Sequence, residues 1–385
     1  MNKSFSCKHI LSGRLVQSLV LLIAFSIIPA SIAQDEFVGV TLELTEVRAG
    51  PGVTFEIVGA LPGGVEADII ERNEIGNWLH IEGETPDGEV DGWLMTGALI
   101  LPDDFLLSEV EVNEEIADAD PETVPDERLA ALFAVPILPE IDPNLEYIVM
   151  QGETYGFQPD VVTKVGDSNS AALTYLPPID EAEYDPGIYD FLQPTIDFFG
   201  ESFKQGSIAA KVGLNAFSVF DPIWADPDDC EPNEIPLTCE YRNSRAAIAL
   251  IMFGANDLRA LNSDDYREQM TRIVEQTLDY GVIPVLSTFS VPPNDPMIDQ
   301  VLRFNQITVE IAEEYSVPLI NLWAAARALP RYGIGDDNVH LTSPGVGVRF
   351  EGQESIYGGA LQNLLVLHTL DRIRVTLGLD ESQGS

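Results

Sequence analysis

Four short runs, one β-branched and three apolar, constrain this chain more than any other feature. They are Val161–Val165 within V-V-T-K-V, Ala247–Phe253 (A-I-A-L-I-M-F), Val282–Ser287 (V-I-P-V-L-S) and Val317–Leu322 (V-P-L-I-N-L). Each has the length of a strand, and none shows the alternation of a strand with one wet face. Helix-period stretches separate them. Tyr266, Met270, Ile273, Val274 and Thr277 recur at helical spacing, another helix is expected over 297–315, and a last apolar-rich one over 357–377. Buried strands joined by helices of this length predict an α/β fold with a parallel sheet covered on both faces, here over residues 129–378. No internal repeat is visible.

The region before 129 reads differently. Lys3, Lys8 and Arg14 precede an apolar stretch over 15–28, and Pro29-Ala30-Ser31-Ile32-Ala33 offers a small-residue cleavage site. Residues 1–33 are therefore expected to be a signal peptide cleaved after Ala33, which predicts export. No cysteine follows the apolar core, so a lipid-anchored N-terminus is not expected, and no other stretch approaches the ~20 apolar residues of a membrane span. The formal charge of −43 becomes more negative once the three basic leader residues are gone. Such a surface repels nucleic acid and anionic membranes, which excludes both as expected partners.

Residues 40–101 alternate short β-rich runs with Gly/Pro turns such as Gly50-Pro51-Gly52, Pro62-Gly63-Gly64 and Asp91-Gly92, the spacing of a small barrel. The series Val47-Arg48-Ala49-Gly50-Pro51-Gly52, Gly59-Ala60-Leu61-Pro62-Gly63-Gly64, Asn77-Trp78-Leu79-His80-Ile81 and Asp91-Gly92-Trp93-Leu94 resembles the bacterial SH3-type domain. That resemblance implies a binding module, often for cell-wall material, without catalysis of its own. Trp78 and Trp93 read either as a ligand surface or as barrel core. Residues 102–128 follow, with eleven acidic side chains and no basic one between 103 and 127. Self-repulsion there predicts an extended or partly ordered linker.

Two apolar runs of the α/β region break into Gly-led polar turns. Val161–Val165 runs into Gly166-Asp167-Ser168, and Ala247–Phe253 into Gly254-Ala255-Asn256-Asp257. In open α/β sheets, reactive groups gather beyond the carboxyl ends of the strands, so Ser168 and Asn256 are expected on one edge. Either turn also reads as a plain helix cap. Of the histidines beyond the leader, His80 lies in the barrel-like region and His368 within an apolar helix. His340 stands in a polar loop with Asp337 three residues ahead, a spacing at which one turn can aim a carboxylate at the ring. Cys230 and Cys239 are the cysteines left after the leader, an even pair in an oxidising compartment, and are expected to form a disulfide. A thiol nucleophile or zinc site is not expected there, since neither a second pair nor a nearby histidine is present.

Gly166-Asp167-Ser168, Gly254-x-Asn256-Asp257 and Asp337-x-x-His340, in this order, resemble the first, third and fifth blocks of the SGNH, or GDSL-type, hydrolase family over about 145–375. The resemblance implies a flavodoxin-like three-layer sandwich with a five-stranded parallel sheet, and serine esterase, lipase or carbohydrate deacetylase activity without metal or organic cofactor. Carried over, Ser168 is the nucleophile, His340 the general base and Asp337 its orienter. The oxyanion hole takes the Ser168 N–H, the Asn256 side chain and a glycine N–H from the second block. That glycine is Gly213 in Lys211-Val212-Gly213-Leu214-Asn215, with Gly206 as runner-up. Asn169 stands where the GDSL spelling has leucine. The expected activity is hydrolysis of carboxylic esters, with acylated carbohydrate or lipid as substrate. The competing reading is a non-catalytic glycan- or cell-wall-binding protein on a decayed hydrolase fold.

Overall fold

In the computed structural model of the protein, residues 37–176, 186–345, 350 and 352–380 are described, and the expected signal peptide lies outside them. The two sequence patterns become two sheets. The first is an antiparallel half-barrel of β1 (Phe37–Thr41), β2 (Thr45–Arg48), β3 (Ile57–Leu61), β4 (Glu66–Arg72), β5 (Trp78–Thr85), β6 (Gly88–Met95) and β7 (Leu99–Ile100), in the order β3-β2-β6-β5-β4-β1-β7. Period-two alternation builds its core. Along β5, Leu79, Ile81 and Gly83 turn inward while Glu82 and Glu84 face water. Trp78 and Trp93 are only 6% and 3% exposed, so neither offers a ring face to a ligand; Trp93 stacks on His80 instead.

The acidic stretch departs from expectation. It lies along the half-barrel in short turns, with Phe105, Leu107 and Val110 buried. Val112 bridges Arg72, whose N–H donates to Glu111 O and whose carbonyl accepts from Asn113 N. The Arg72 guanidinium donates to the Leu107 carbonyl and lies over the Phe191 ring. A few apolar anchors between the carboxylates outweigh the charge repulsion, because most of the carboxylates stay in water; Asp118, pushed up by burial, instead accepts the Ile137 N–H at 3.1 Å.

The second sheet is parallel, with β8 (Gln158–Gly166), β9 (Ala246–Met252), β10 (Ile283–Ser287) and β11 (Leu319–Ile320) in that order. β11 is shorter than the apolar run around it, because Asn321 leaves the ladder to cap the next turn. A single bridge from Gly166 to Ala210, on the side of β8 away from β9, takes the place of the fifth strand that the family resemblance implies. With that bridge counted second, the order is the flavodoxin-like 2-1-3-4-5, whose topological switch point falls between β8 and β9.

The helices are α1 (Glu127–Phe133), α2 (Glu146–Thr154), α3 (Gln193–Phe203), α4 (Pro236–Ser244), α5 (Ser263–Asp279), α6 (Ile298–Tyr315), α7 (Leu322–Ala325) and α8 (Gly358–Thr376). α4, α5 and α6 cover one face, marked by Thr163 of β8 reaching Glu240 of α4, and α3 and α8 cover the other, marked by Gln362 of α8 against Met252. α5 buries the expected Tyr266, Met270, Ile273, Val274 and Thr277 stripe. From Ala360 to Leu370 α8 is buried all round because the half-barrel covers its outer side: His368 bonds Ile75 O at 3.0 Å, and both sheets share one continuous apolar core.

Candidate active site

The site begins where β8 stops. Gly166 is required there, since a Cβ would run into Ser170 Oγ and the Met252 carbonyl. Asp167 turns inward, 2% exposed, and its carboxylate accepts the N–H of Asn169 at 2.9 Å and that of Asn256. Burial pushes its carboxyl up to about 6, with those hydrogen bonds pulling the other way. Ser168, between buried neighbours, stays half-exposed at the lip of the sheet. Ser170 is buried, and its hydroxyl has no hydrogen-bond partner.

β9 delivers the second loop beside the first. Gly254, at φ +140°, is pressed against the Phe289 ring, so no side chain fits. Asp257 is fully buried and accepts Gly254 N–H at 3.0 Å and Ala216 N–H at 2.9 Å. Burial is the main cause that pushes its carboxyl up to about 6. The Asn256 side chain caps no helix; one amide N–H goes to Leu214 O at 3.0 Å, which leaves the other free to donate. The segment bonded by these two residues is the one that follows the Gly166–Ala210 bridge, where Lys211 N–H reaches Gly166 O. Gly213, exposed and at φ +84°, therefore turns at the same edge as Ser168 and Asn256. Gly206 lies ahead of the bridge, in open space.

The third loop comes from residues 335–341, closed by an Ile334–Leu341 bridge and a Gly335 N–H to His340 O bond. Asp337 organises it. Its Oδ1 accepts the N–H groups of Val339 and His340, each at 3.0 Å, and its Oδ2 meets His340 Nδ1 at 2.6 Å. Those bonds, the His340 N–H first and its ring next, hold the Asp337 carboxyl down to about 2. An ionised carboxylate can only accept, so in the neutral ring His340 Nδ1 carries the proton and Nε2 presents a lone pair. Nε2 lies 2.9 Å from Ser168 Oγ. The three residues, 172 positions apart at the serine–histidine link, thus form one hydrogen-bonded line.

Two residues escaped the sequence reading. Asn169 fastens the histidine loop to the serine turn: its side chain accepts Leu341 N–H at 3.0 Å and donates to Val339 O at 3.3 Å, straddling His340. Asp257 ties the Gly213 segment to the Asn256 turn. In sequence, one looked like a neutral departure from a spelling and the other like a helix cap. Cys230 and Cys239 are joined, and Arg242 and Asn243 hold the same loop through Asp229 O. Among the described residues, the one His/Cys/Asp/Glu cluster with ligand spacing is Cys230, Glu234 and Cys239, whose sulfurs are already bonded to each other. A cavity of about 400 Å³ adjoins the line, bounded by Asn256, Asp337, Val339, Ser290 and the Pro292–Met297 loop.

Residues 204–347 match the family described as GDSL-like Lipase/Acylhydrolase family, a stretch that takes in Gly213, Asn256, Asp337 and His340 and starts downstream of Ser168. No curated protein matches by sequence. Among solved structures, a lipase/acylhydrolase from Enterococcus faecalis is 18% identical, with 55% of this chain and 95% of that one covered at a TM-score of 0.36. The psychrotrophic esterase EstA from Pseudoalteromonas sp. is 17% identical, covering 57% and 99% at 0.35. The acetylxylan esterase Axe2 from Geobacillus stearothermophilus is 13% identical, covering 56% and 94% at 0.35. Residues 204–347 thus carry a GDSL-like lipase/acylhydrolase match, to a family of hydrolases that act on ester bonds.

Proposed function

We propose that this protein is an exported serine esterase that works through an acyl-enzyme on Ser168. The observation that carries the reading is the unbroken line from Ser168 Oγ through His340 to Asp337, at 2.9 and 2.6 Å. His340 Nε2 takes the hydroxyl proton as Oγ attacks the ester carbonyl, and Asp337 stabilises the imidazolium that results. The charge on the carbonyl oxygen is met by the Ser168 N–H, the Gly213 N–H and the free Asn256 amide hydrogen. The imidazolium then protonates the departing alcohol. Water then attacks the acyl carbon as it gives a proton to Nε2, and the imidazolium returns that proton to Ser168 Oγ as the acid leaves.

The half-barrel is proposed to be an SH3-type module that holds cell-wall or glycan material, which points to acylated carbohydrates as the substrates. With Trp78 and Trp93 buried, such a module would bind through its exposed strands. Export rests on the leader pattern of residues 1–33. Hydrolysis of a p-nitrophenyl acetate series by the exported protein, abolished by Ser168→Ala without loss of fold, tests the assignment. Activity surviving in that variant overturns it.

A further inference from the structure

The chain holds 63 acidic against 20 basic residues, so a cation without a partner is unexpected in it. All but one of the described bases are engaged. Arg128 bonds Asp126 and Asp299, Arg242 bonds Glu234, Arg374 bonds Asp371, Lys211 bonds a carbonyl, and Arg272 lies over Phe220. Among the described residues, Arg259 is the one lysine or arginine with no hydrogen bond, ion pair or ring contact. Its guanidinium stands exposed on the wall of the 400 Å³ cavity that also holds Asn256 and Asp337.

Its place on the chain fixes its aim. Asn256 immediately precedes the 3₁₀ turn Asp257–Arg259 without capping it by its side chain. Side chains three apart on such a turn eclipse one another, so Arg259 leaves the turn on the same side as Asn256. The two carboxylates of the cavity are committed elsewhere: Asp295 accepts Met297 N–H at 2.8 Å, and Asp337 holds His340. The strong negative charge of the chain repels an anion at a distance, but salt screens that beyond about 8 Å, and the cavity is where the choice is made.

We propose that Arg259 is a specificity-determining residue that receives a carboxylate borne by the ester substrate, so that the enzyme acts on acylated acidic carbohydrate in preference to neutral carbohydrate. A guanidinium presents paired N–H donors that match a carboxylate two to two, and its charge persists at any working pH. The inference rests on the esterase reading and narrows its substrate class.

The test compares kcat/KM for O-acetylated oligogalacturonate and O-acetylated xylo-oligosaccharide in the wild type, Arg259→Gln and Arg259→Lys. The wild type is expected to favour the acidic substrate. Arg259→Gln lowers the acidic-to-neutral ratio roughly ten- to hundredfold, chiefly through KM, and Arg259→Lys restores part of it. A ratio that Arg259→Gln leaves unchanged, or a wild type that favours the neutral glycan, overturns the proposal. Calorimetry with unacetylated oligogalacturonate separates this from the esterase reading. Binding that Arg259→Gln weakens, with no ester hydrolysed, would sink the esterase and keep the anion site. Hydrolysis with Arg259-independent binding would do the reverse.

Discussion

Replacing Asp337 by asparagine changes few atoms, and the structure says what they do. Oδ1 accepts the Val339 and His340 N–H groups, a task an amide oxygen performs equally well. The amide nitrogen must then occupy the Oδ2 position, 2.6 Å from His340 Nδ1. An NH₂ group cannot accept a proton, so Nδ1 is forced to become the acceptor and the ring proton moves to Nε2. Nε2 now points an N–H at Ser168 Oγ and can no longer take its proton. The loop survives and the base does not. Loss of the correct tautomer and of the imidazolium's counter-charge in sites of this type costs on the order of 10⁴-fold in kcat.

Stability should barely change, because Asp337 is half exposed and a surface ion pair contributes under about 1 kcal/mol. The pH dependence has a definite sign. The folded carboxyl, held down to about 2, lies below its ordinary value, so its small contribution is present above about 4 and fades as pH falls toward 2. Steady-state hydrolysis of p-nitrophenyl acetate, alongside a urea melt at pH 7, gives both quantities. A variant folded like the wild type and turning over within tenfold of it would refute the assignment of His340 as base and Asp337 as its orienter.

Asn169→Leu, which removes both clamps on the histidine loop, should lower kcat by roughly ten- to a hundredfold while KM moves little, and a KM effect without a kcat effect would contradict it. Asp257→Ala leaves two buried N–H groups unpaired and should cost about 2–5 kcal/mol by urea denaturation; a loss under 1 would say that the Gly254 and Ala216 bonds do not anchor that edge. Asp167 and Asp257, pushed up to about 6, bind protons in the folded state that the unfolded chain has released, so they weaken the fold as pH rises from about 4 to 6. His368, buried and pushed down to about 3, acts oppositely, its contribution being complete above about 6.5 and draining away as pH falls toward 3. Urea midpoints between pH 4 and 7 should therefore rise more steeply with pH in Asp257→Asn than in the wild type, and parallel curves would count against the assignment. Reducing Cys230–Cys239 should cost at most about 3 kcal/mol and loosen chiefly residues 226–243, seen as faster amide exchange there.

What the sequence made legible was what local chemistry marks. Short apolar runs of strand length separated by helix-period stretches read as buried strands, and a Gly-led polar turn after two of them places Ser168 and Asn256 at a single edge. His340 stood out because Asp337 sits one turn away in the chain, so their contact is local. Asn169 and Asp257 were missed because their partners lie far off in sequence, at Leu341 and Ala216, and their residue types suit caps and turns equally well. The acidic stretch misled for a different reason. Charge density dominated the reading, while Phe105, Leu107 and Val110, spaced among the carboxylates, decide where it lies. The ambiguity of Trp78 and Trp93 needed burial to resolve, since an aromatic on a short strand serves core and ligand alike.

The most direct measurement is the site of covalent modification by a fluorophosphonate. The reagent needs an activated serine, and the structure offers two candidates in one turn: Ser168, bonded to His340, and Ser170, buried without a hydrogen-bond partner. Peptide mass spectrometry after labelling should find the phosphonyl group on Ser168, with none in Ser168→Ala or His340→Ala. A wild type that stays unlabelled, or a label on Ser170 that persists in Ser168→Ala, would contradict the catalytic account.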